Sequence, residues 1–445
     1  MYKNKKIFIL GLARSGYAAA KLLAKDNQVT INDMNNNQDP KQIEELENLG
    51  VNIVLGSHPD EILTPDYDVL IKNPGIKENH KYIEFCHQNN IPVINEVELA
   101  YHYLPKNVTI IGITGSNGKT TTTTLIYEIL KKGNRNVHLT GNIGFPLSSF
   151  IGKIKENDIV VIEISDQQLF NFIDFKTNIS VLTNLSYAHL DLHGGSFENY
   201  ILNKKKVFNH HTKEDLAIIN LENAPSLKIT KDINSSKIYF SSKNICNGAY
   251  LKDDKIYYYD KEIINTKDVR LNGVHNYENI MCAIIVAINM NIDINDICEV
   301  VKNFSGVEHR LEFVRNLNGV EYYNDSKSTN NKSTQIALSA FNKPTIILLG
   351  GLDRGQLFDE LLPFMKNVRS IICYGQTKEK IAEFALKNKI NCTVVNNLKE
   401  ATTLAYNTAE NGDVVLLSPA CASWDQYKKF EDRGDEFKKI VSELK

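Results

Sequence analysis

The stretch Val108-Thr-Ile-Ile-Gly-Ile-Thr-Gly-Ser-Asn-Gly-Lys-Thr120 joins a run of apolar residues to a glycine loop and then to a Thr-rich segment. The apolar run predicts a buried strand, and the Thr-rich segment predicts the start of a helix. A glycine loop between a strand and a helix directs backbone N–H groups and the positive end of the helix dipole toward one place. The stretch therefore predicts a phosphate-binding loop on an α/β fold.

The loop is a variant of the usual phosphate-loop pattern. Lys119 brings a positive charge to the β- and γ-phosphates, and the Thr120 hydroxyl can bind Mg²⁺. The strict pattern needs a glycine where this chain has Ile113, whereas Gly112 comes one place early and Gly115 two places late. An ordinary glycine turn before a helix is the alternative interpretation, but Gly-Lys-Thr directly after a buried strand favours phosphate binding.

Apolar runs alternate with helix-period segments through most of the chain, which predicts parallel α/β layers. At roughly 100–200 residues per domain, the 445 residues predict about three domains. Pro105 marks a linker before the strand that leads to the glycine loop, and a third unit begins near Gly306. We therefore expect domains at residues 1–105, 106–305 and 306–445. Alternating Tyr, Ile and Val in 249–271 indicate a small side sheet in the second domain.

Composition excludes several classes of protein. The formal net charge is −2, so no overall basic field favours nucleic acid, and runs such as Lys204–Lys206 are usually solvated helix faces. The sequence contains no stretch of about 20 apolar residues, so no membrane-spanning helix is expected. The seven cysteines form no Cys-x-x-Cys pair, which is typical of reduced thiols in a cytoplasmic protein.

The N-terminal loop Gly11-Leu-Ala-Arg-Ser-Gly16 follows a predicted strand at Lys6–Leu10 and resembles a dinucleotide-binding fingerprint in which Ala13 replaces the second glycine. Asp33 stands about where an acid would bind a ribose hydroxyl. Three interpretations stay open from these residues: a nicotinamide dinucleotide, another nucleotide, or a turn that serves packing alone.

The variant loop, read as Gly112-Ile-Thr-Gly-Ser-Asn-Gly-Lys-Thr120, resembles that of the Mur ligases and the related folylpolyglutamate synthetases. Further segments resemble, in order along the whole chain, the Mur ligases that add D-glutamate: Gly141–Gly144, His275–Tyr277, His309–Arg310, Asn324–Asn330, Ser418–Ser423 and Phe430–Gly434.

The resemblance implies a Rossmann-like N-terminal domain for a UDP-sugar, a central ATP-binding domain with a mostly parallel sheet, and a Rossmann-like C-terminal domain for an amino acid. It implies that the carboxylate of UDP-N-acetylmuramoyl-L-alanine takes the γ-phosphoryl group of ATP, and that D-glutamate then attacks the acyl phosphate. A monomeric, cytoplasmic enzyme of peptidoglycan precursor synthesis is expected.

The resemblance also implies roles for individual residues. ATP is expected at Gly115, Ser116, Asn117, Gly118, Lys119, Thr120, Thr121, Asn276, Arg310 and Asp325. Two Mg²⁺ sites are expected from Thr120, Glu163, His189 and Lys204, the last as a carbamate. The UDP-sugar is expected at Arg14, Ser15, Asp33, Asn73, Gly75, Asn142, Ser165 and His189, and D-glutamate at Lys327, Thr329, Arg354, Ser423 and Phe430. The catalytic set implied is Lys119, His189, Lys204 and Lys327.

The chain departs from the family pattern at a few places near these residues. Asp166 stands where a serine is usual, and Ala188 and Leu192 replace an Asp and an Arg. One interpretation is compensation, in which Asp166 supplies the charge missing at position 188; the other is a weakened or inactive ligase. Arg354 stands where Lys is usual, and Trp424 is bulkier than the usual Leu.

Three alternatives remain beside the D-glutamate ligase. The first is another amino-acid-adding Mur enzyme or a folate polyglutamate ligase, against which the segments Asp325–Asn330 and Ser418–Ser423 argue. The second is a nucleotide-binding regulator that senses UDP-sugars without turnover, which the departures at 166, 188 and 192 would favour. A nicotinamide-dependent oxidoreductase is the most distant of the three.

Overall fold

A computed structural model of the protein describes residues 2–187, 190–271 and 273–445. The chain divides into two compact units, one ending at Phe304 and the other spanning Ser305–Lys445. The first unit holds two sheets and the second unit holds one. None of the helices in the described part of the chain combines the length and the apolar character needed to cross a bilayer.

The first sheet has five parallel strands in the order β3-β2-β1-β4-β5. Its strands are β1 Lys6–Leu10, β2 Gln28–Asp33, β3 Asn52–Leu55, β4 Val69–Lys72 and β5 Val93–Asn95. Its helices are α1 Arg14–Leu23, α2 Pro40–Asn48, α3 Lys81–Gln88 and α4 Glu96–Tyr101. The strand order reverses between β1 and β4, and ligands bind beside such a reversal in open α/β sheets.

The second sheet has nine strands in the order β14-β13-β12-β11-β10-β9-β6-β8-β7. Its strands are β6 Thr109–Thr114, β7 Val137–Gly141, β8 Ile159–Glu163, β9 Ile179–Leu182, β10 Leu216–Asn220, β11 Ser236–Ser241, β12 Gly248–Lys252, β13 Lys255–Tyr258 and β14 Lys261–Asn265. Its helices are α5 Lys119–Lys132, α6 Asp166–Leu169, α7 Phe197–Lys205, α8 Ala224–Ile229, α9 Val274–Asn289 and α10 Ile294–Asn303. The strands from β7 to β12 are parallel, and β13 and β14 add an antiparallel edge, which is the side sheet expected from the sequence.

The third sheet has six strands in the order β15-β16-β20-β17-β18-β19, all parallel except the hairpin of β15 and β16. Its strands are β15 Glu312–Leu317, β16 Val320–Asn324, β17 Thr345–Gly350, β18 Val368–Tyr374, β19 Cys392–Val394 and β20 Val414–Leu417. Its helices are α11 Asn331–Ser339, α12 Lys378–Lys387, α13 Leu398–Thr408 and α14 Phe430–Glu443. The predicted α/β class with a mostly parallel central sheet is confirmed.

Helix α4 connects the first sheet to the second through buried polar groups. The Glu98 carboxylate is fully buried and accepts hydrogen bonds from the backbone N–H groups of Ile173, Asp174 and Phe175 at 2.8–3.0 Å. Asn95, at the N-cap of α4, donates to the backbone carbonyl of Gln168 at 2.6 Å. These bonds hold the loop before β9 against α4, and so connect the two sheets of the first unit.

The Glu98→Gln variant tests this connection. The amide offers one oxygen instead of two and turns an N–H group toward backbone donors, so we expect a loss of roughly 2–4 kcal/mol in the free energy of unfolding. Urea unfolding followed by circular dichroism measures the change. Glu44→Gln, an exposed position on α2, is the control and should change the free energy by less than about 0.5 kcal/mol. Equal stability of the two variants would show that Glu98 does not stabilise the connection.

Candidate active site

The glycine loop lies between the carboxyl end of β6 and the first turn of α5. Gly115 has φ +141°, and a Cβ there would stand 2.1 Å from the Thr183 hydroxyl. Gly118 has φ +80°, and a Cβ there would stand 2.3 Å from the Asn279 side-chain oxygen. Ile113, where the strict pattern needs glycine, is a fully buried residue of β6. The variant spacing therefore follows from a strand that extends to Thr114 before the loop begins.

The loop is bonded to the segment that follows β9. The backbone N–H of Ser116 donates to the Asn184 carbonyl at 2.8 Å, and the backbone N–H of Ser186 donates to the Ser116 hydroxyl at 2.9 Å. The Thr183 hydroxyl donates to the Asn117 carbonyl at 2.6 Å. Two adjacent strands of the central sheet thus fix the loop backbone, which keeps its N–H groups at the start of α5.

Lys119 is the first residue of α5 and folds back over the loop. Its ammonium group donates to the carbonyls of Gly115 and Ser116, each at 2.9 Å. Thr120, predicted to bind Mg²⁺, follows it in the same turn and is buried, and Thr121 is half-buried. A cation, a hydroxyl and the positive end of a 14-residue helix therefore lie at one point.

Glu163 ends β8 beside this loop. Its Oε1 accepts a hydrogen bond from the side-chain amide of Asn142 at 2.7 Å. Its Oε2 is buried and has no hydrogen-bond partner within the described residues. A buried carboxylate oxygen that lacks a protein partner is costly unless a cation meets it, so the donor set fits a hard cation such as Mg²⁺.

Lys204, on α7, is buried near the Glu163 carboxylate. Its Nζ lies 3.2 Å from the Thr114 hydroxyl and 3.8 Å from Oδ1 of Asp166. Burial, with a smaller contribution from the charge of Lys119, lowers the pKa of this amine to about 7, against the opposing effect of Asp166 and Glu163. Lys204 is therefore not one of the solvated lysines of the Lys204–Lys206 run.

Asp166, at a position where the sequence resemblance predicts a serine, is a buried carboxylate with several partners. Its Oδ2 lies 2.7 Å from Nε2 of His193, and its Oδ1 accepts from the Asn203 side-chain amide at 3.0 Å. Ser165 caps α6, since its hydroxyl accepts from the Gln168 backbone. Neither His193 nor Asn203 was predicted from the sequence. His189 and Ala188 lie outside the described residues.

The residues predicted to bind the UDP-sugar in the N-terminal part gather where the first sheet reverses its strand order. The Asn73 amide donates to the Ser15 hydroxyl at 2.9 Å and its oxygen accepts from the Gly75 backbone at 3.0 Å. The Asp33 carboxylate accepts from the backbone N–H of Leu12 at 2.7 Å. Arg14 is exposed at the first position of α1.

A cavity of about 370 Å³ lies between the segment that follows β4 and the residues at α6 and Leu192 of the same unit. Gly75 and Leu192 both line it, together with Phe170. Lys72, which was not predicted as a site residue, is buried in its wall and donates to the Ile76 carbonyl at 2.7 Å. Leu192 therefore gives this cavity an apolar wall at the position where the sequence resemblance predicts an arginine.

Asn276 stands in the first turn of α9, near the glycine loop. Its side-chain oxygen accepts from the Asn279 amide at 3.4 Å, and Asn279 in turn accepts from the Thr122 hydroxyl of α5 at 3.2 Å. Asn279 also faces Gly118 of the loop. The predicted ATP residue is thus linked to the loop through a neighbour that the sequence did not indicate.

The second unit holds the remaining predicted ATP residues. Arg310, Asp325 and Lys327 line one cavity of about 150 Å³. Asp325 is almost fully buried and accepts hydrogen bonds from the Ser418 hydroxyl at 2.7 Å and the Leu311 backbone at 3.2 Å. Burial raises the pKa of the Asp325 carboxyl to about 6, against those hydrogen bonds and the nearby Arg310.

The residues predicted to bind D-glutamate lie on three loops and at the start of one helix of the second unit. Lys327 and Thr329 follow β16, Arg354 follows β17, and Ser423 follows β20. The Ser423 hydroxyl is buried and has no hydrogen-bond partner in the described part of the chain. Phe430 begins α14, and its carbonyl accepts from the Ser326 hydroxyl at 2.8 Å.

Arg433, a residue of α14 for which the sequence predicted no role, is fully buried between these loops. Its guanidinium donates to the carbonyls of Ser326 at 2.9 Å and Cys421 at 3.1 Å, and more weakly to that of Gly350 at 3.5 Å. Its position in the Phe430–Gly434 segment is the only sequence signal that could have indicated it.

A glycine loop with a lysine at a helix start, beside a buried carboxylate oxygen that has no hydrogen-bond partner among the described residues, is typical of α/β enzymes that bind a nucleoside triphosphate with a divalent cation. Family comparison agrees. The family descriptions "Mur ligase MurD-like, N-terminal domain", "Mur ligase middle domain" and "Mur ligase, glutamate ligase domain" match residues 5–95, 113–287 and 309–421. The chain belongs to the Mur ligase family, whose members are ATP-dependent ligases.

Relatives match over the full length. The chain is 44% identical over 448 residues to the UDP-N-acetylmuramoylalanine–D-glutamate ligase of Geobacillus sp. (strain WCH70), covering 100% of this chain and 99% of the relative. It is 44% identical over 449 residues to the protein of the same name from Bacillus pumilus (strain SAFR-032), with the same coverage.

Solved structures share the fold at lower identity. The UDP-N-acetylmuramate-alanine ligase MurC of Thermotoga maritima is 18% identical, with a TM-score of 0.57 over 99% of this chain and 100% of that chain. A murein peptide ligase of Psychrobacter arcticus is 17% identical, with a TM-score of 0.54 over 99% of each chain.

The close packing of Gly115 gives a prediction for nucleotide binding. In Gly115→Ala, the new Cβ would meet the Thr183 hydroxyl and the Asn184 carbonyl, so the loop must move and its N–H groups turn from the phosphates. We expect ATP to bind roughly 10- to 100-fold more weakly, as for the loss of one or two charge-assisted hydrogen bonds. Calorimetric titration with ATP measures the affinity.

Gly152→Ala is the matched control. Gly152 also has a positive φ, of +87°, but a Cβ there would meet nothing within 4 Å. This variant also places a Cβ at a positive φ but without the clash, and it should bind ATP as the wild-type protein does. If both variants bind ATP equally well, the close approach of loop and strand is not needed for binding.

Proposed function

We propose that this chain catalyses the ATP-dependent ligation of D-glutamate to UDP-N-acetylmuramoyl-L-alanine, in peptidoglycan precursor synthesis. The observation that carries the proposal is a full-length 44% identity to ligases of that name, in a chain whose central sheet gathers Lys119, Glu163 and Lys204. In this proposal residues 1–105 bind the UDP-sugar, 106–305 bind ATP and 306–445 bind the amino acid.

The first step transfers the γ-phosphoryl group of ATP to the alanyl carboxylate. The carboxylate oxygen attacks the γ-phosphorus, the bond to the β–γ bridging oxygen breaks, and ADP leaves. This chemistry depends mainly on positioning and on neutralising charge. The loop 115–121 supplies N–H groups and hydroxyls to the phosphates, and Lys119 supplies the charge. In the same proposal Asn276, Arg310 and Asp325 bind the nucleotide.

Thr120, Glu163, His189 and Lys204 would hold Mg²⁺, in two sites. The cation supplies positive charge against the phosphate oxygens when it is bound. Oε2 of Glu163, which has no hydrogen-bond partner among the residues that the structure describes, supports this assignment, and Asn142 fixes the carboxylate through its Oε1.

Lys204 becomes a metal ligand only if its charge changes sign. A neutral amine can attack the carbon of CO₂, so that an N–C bond forms, one C–O π bond opens and the nitrogen loses a proton. The carbamate that results is an oxygen ligand. The position of the Lys204 amine beside Thr114 and near Glu163, and the lowering of its pKa to about 7, support this modification.

The second step makes the amide bond. The amine of D-glutamate attacks the carbonyl carbon of the acyl phosphate, the C–N bond forms, the C–O bond to phosphate breaks, and the amine loses a proton. Lys327 is proposed to steady the acyl phosphate or the incoming amino acid. The remaining residues proposed to bind D-glutamate are Thr329, Arg354, Ser423 and Phe430.

The UDP-sugar is proposed to bind where the first sheet reverses its strand order, next to the 370 Å³ cavity. The hydrogen bonds that Asn73 makes with Ser15 and Gly75 support a preformed site there. The full proposed set is Arg14, Ser15, Asp33, Asn73, Gly75, Asn142, Ser165 and His189. We propose that the enzyme acts as a monomer in the cytoplasm and binds no nucleic acid.

The test is phosphate release from the purified chain with ATP and Mg²⁺. We expect release only when UDP-N-acetylmuramoyl-L-alanine and D-glutamate are both present, with L-lysine and meso-diaminopimelate as parallel negative controls. Release with another amino acid would identify a different Mur ligase. Tight ATP binding without any release would favour the regulator that senses UDP-sugars without turnover.

Lys204 gives a second prediction. Lys204→Ala should reduce turnover by about a thousandfold or more, as for loss of a group that organises charge in the transition state, and a short-chain carboxylate should restore part of it. Circular dichroism should show an intact fold.

Lys205→Ala is the matched control, since the neighbouring Lys205 is paired with Asp232 at 3.0 Å on the surface. It should retain turnover and show no effect of added carboxylate. Turnover of Lys204→Ala close to that of Lys205→Ala would exclude a carbamate as a needed ligand.

A further inference from the structure

Two loops of the second unit meet through an aromatic and a cationic side chain. The guanidinium carbon of Arg354, after β17, lies 4.5 Å from the ring centroid of Trp424, after β20. Trp424 is 63% exposed, which is unusual for the largest apolar side chain. Stacking on an indole ring holds a guanidinium by its face and leaves its in-plane N–H groups available.

The backbone of both loops is fixed independently of this contact. β17 and β20 are parallel neighbours, and Leu352 donates to the Ala422 carbonyl at 2.8 Å where the loops begin. The backbone N–H of Arg354 donates to the Gln356 side chain at 2.8 Å, and the same side chain reaches Cys421 at 3.0 Å. The stacked pair therefore stands on a rigid base, and the side chains alone decide how the guanidinium is aimed.

The Arg354 guanidinium forms no ion pair with an acidic residue in the described part of the chain. Among the residues that the structure describes, none places a carboxylate within ion-pair distance of Arg354. The adjacent Asp353 is engaged elsewhere, by Lys380 at 2.5 Å and by the Gly355 backbone at 2.8 Å. Next to Trp424 in the chain, the buried Ser423 hydroxyl lacks a partner within the same described residues. The loop after β17 thus presents a planar cation, and the loop after β20 carries a buried hydroxyl that has no partner among the described residues.

We infer that Trp424 is a positioning residue for substrate binding: it holds the Arg354 guanidinium as a flat fork that takes the side-chain carboxylate of the amino-acid substrate in two parallel hydrogen bonds. This inference rests on the proposed function, since it concerns the D-glutamate site of that reaction. Arg354 and Trp424 then act as one unit, because a lysine cannot present such a fork and a leucine cannot hold it.

The experiment measures KM for D-glutamate and kcat at saturating ATP and UDP-N-acetylmuramoyl-L-alanine. In Trp424→Leu, we expect KM for D-glutamate to rise roughly three- to fivefold, as for loss of an exposed cation–π contact, while KM for ATP and kcat stay as in wild type. Trp424→Phe should restore part of the affinity, since its ring still stacks. Phe364→Leu, at another exposed aromatic residue of the same unit, is the control and should leave every constant unchanged.

A double-mutant comparison decides whether the two residues act together. In an Arg354→Lys background, Trp424→Leu should raise KM for D-glutamate much less than it does in wild type. An equal rise in both backgrounds, or no rise in either, would overturn the inference. Wild-type protein without turnover would overturn the proposed function and the inference together, whereas wild-type turnover with an unchanged KM in Trp424→Leu would overturn the inference alone.

Trp424 also gives a readout that does not need turnover. It is the one tryptophan of the chain, so all of the intrinsic tryptophan fluorescence comes from the ring that stacks on Arg354. D-glutamate added with UDP-N-acetylmuramoyl-L-alanine and a non-hydrolysable ATP analogue should change the emission of wild type. It should cause no change in Arg354→Ala. The same change in both proteins would show that Arg354 does not link the tryptophan to the substrate.

Discussion

The close approach of two backbone segments at Gly115 is the constraint on which the central site depends. The loop after β6 lies so near the segment after β9 that a single Cβ would stand 2.1 Å from the Thr183 hydroxyl. The hydrogen bond from the Ser116 N–H to the Asn184 carbonyl fixes the loop backbone at this approach, and Lys119 folds back across the same loop. Phosphate binding at a helix start needs backbone N–H groups that are held in place, and the close approach at Gly115 meets that condition.

Two acidic side chains and one lysine are buried next to this loop, out of contact with water. Glu163, Asp166 and Lys204 are all at least 98% buried, and isolated charges at such depth are unfavourable. Asp166 meets this cost through His193 and Asn203, whereas one oxygen of Glu163 finds no hydrogen-bond partner in the part of the chain that the structure describes. The departure at position 166 therefore adds a satisfied carboxylate near Lys204, and the unsatisfied one remains on β8, where a cation would bind.

The sequence alone is sufficient to predict those features whose residues are contiguous in the chain. The strand Lys6–Leu10 occurs at the residues where it is predicted, and the glycine loop is recognisable because its spacing is short and contiguous. The partners of the predicted residues carry no such signal. Asn279, His193 and Arg433 contact them only because distant segments fold together. Periodicity and spacing describe neighbours along the chain, so these contacts across the fold are visible only in three dimensions.

Arg433 shows how the loops of the second unit that carry residues predicted to bind D-glutamate are held in place. The carbonyls of Ser326, Gly350 and Cys421 belong to the loops that carry Lys327, Arg354 and Ser423, and one buried guanidinium donates to all three. A planar group with five donors can bridge three carbonyls, whereas a lysine cannot cover the same spread of directions. Because the loop backbones are held from inside, the exposed stacking of Arg354 on Trp424 is free to adjust to a substrate carboxylate rather than to hold the fold.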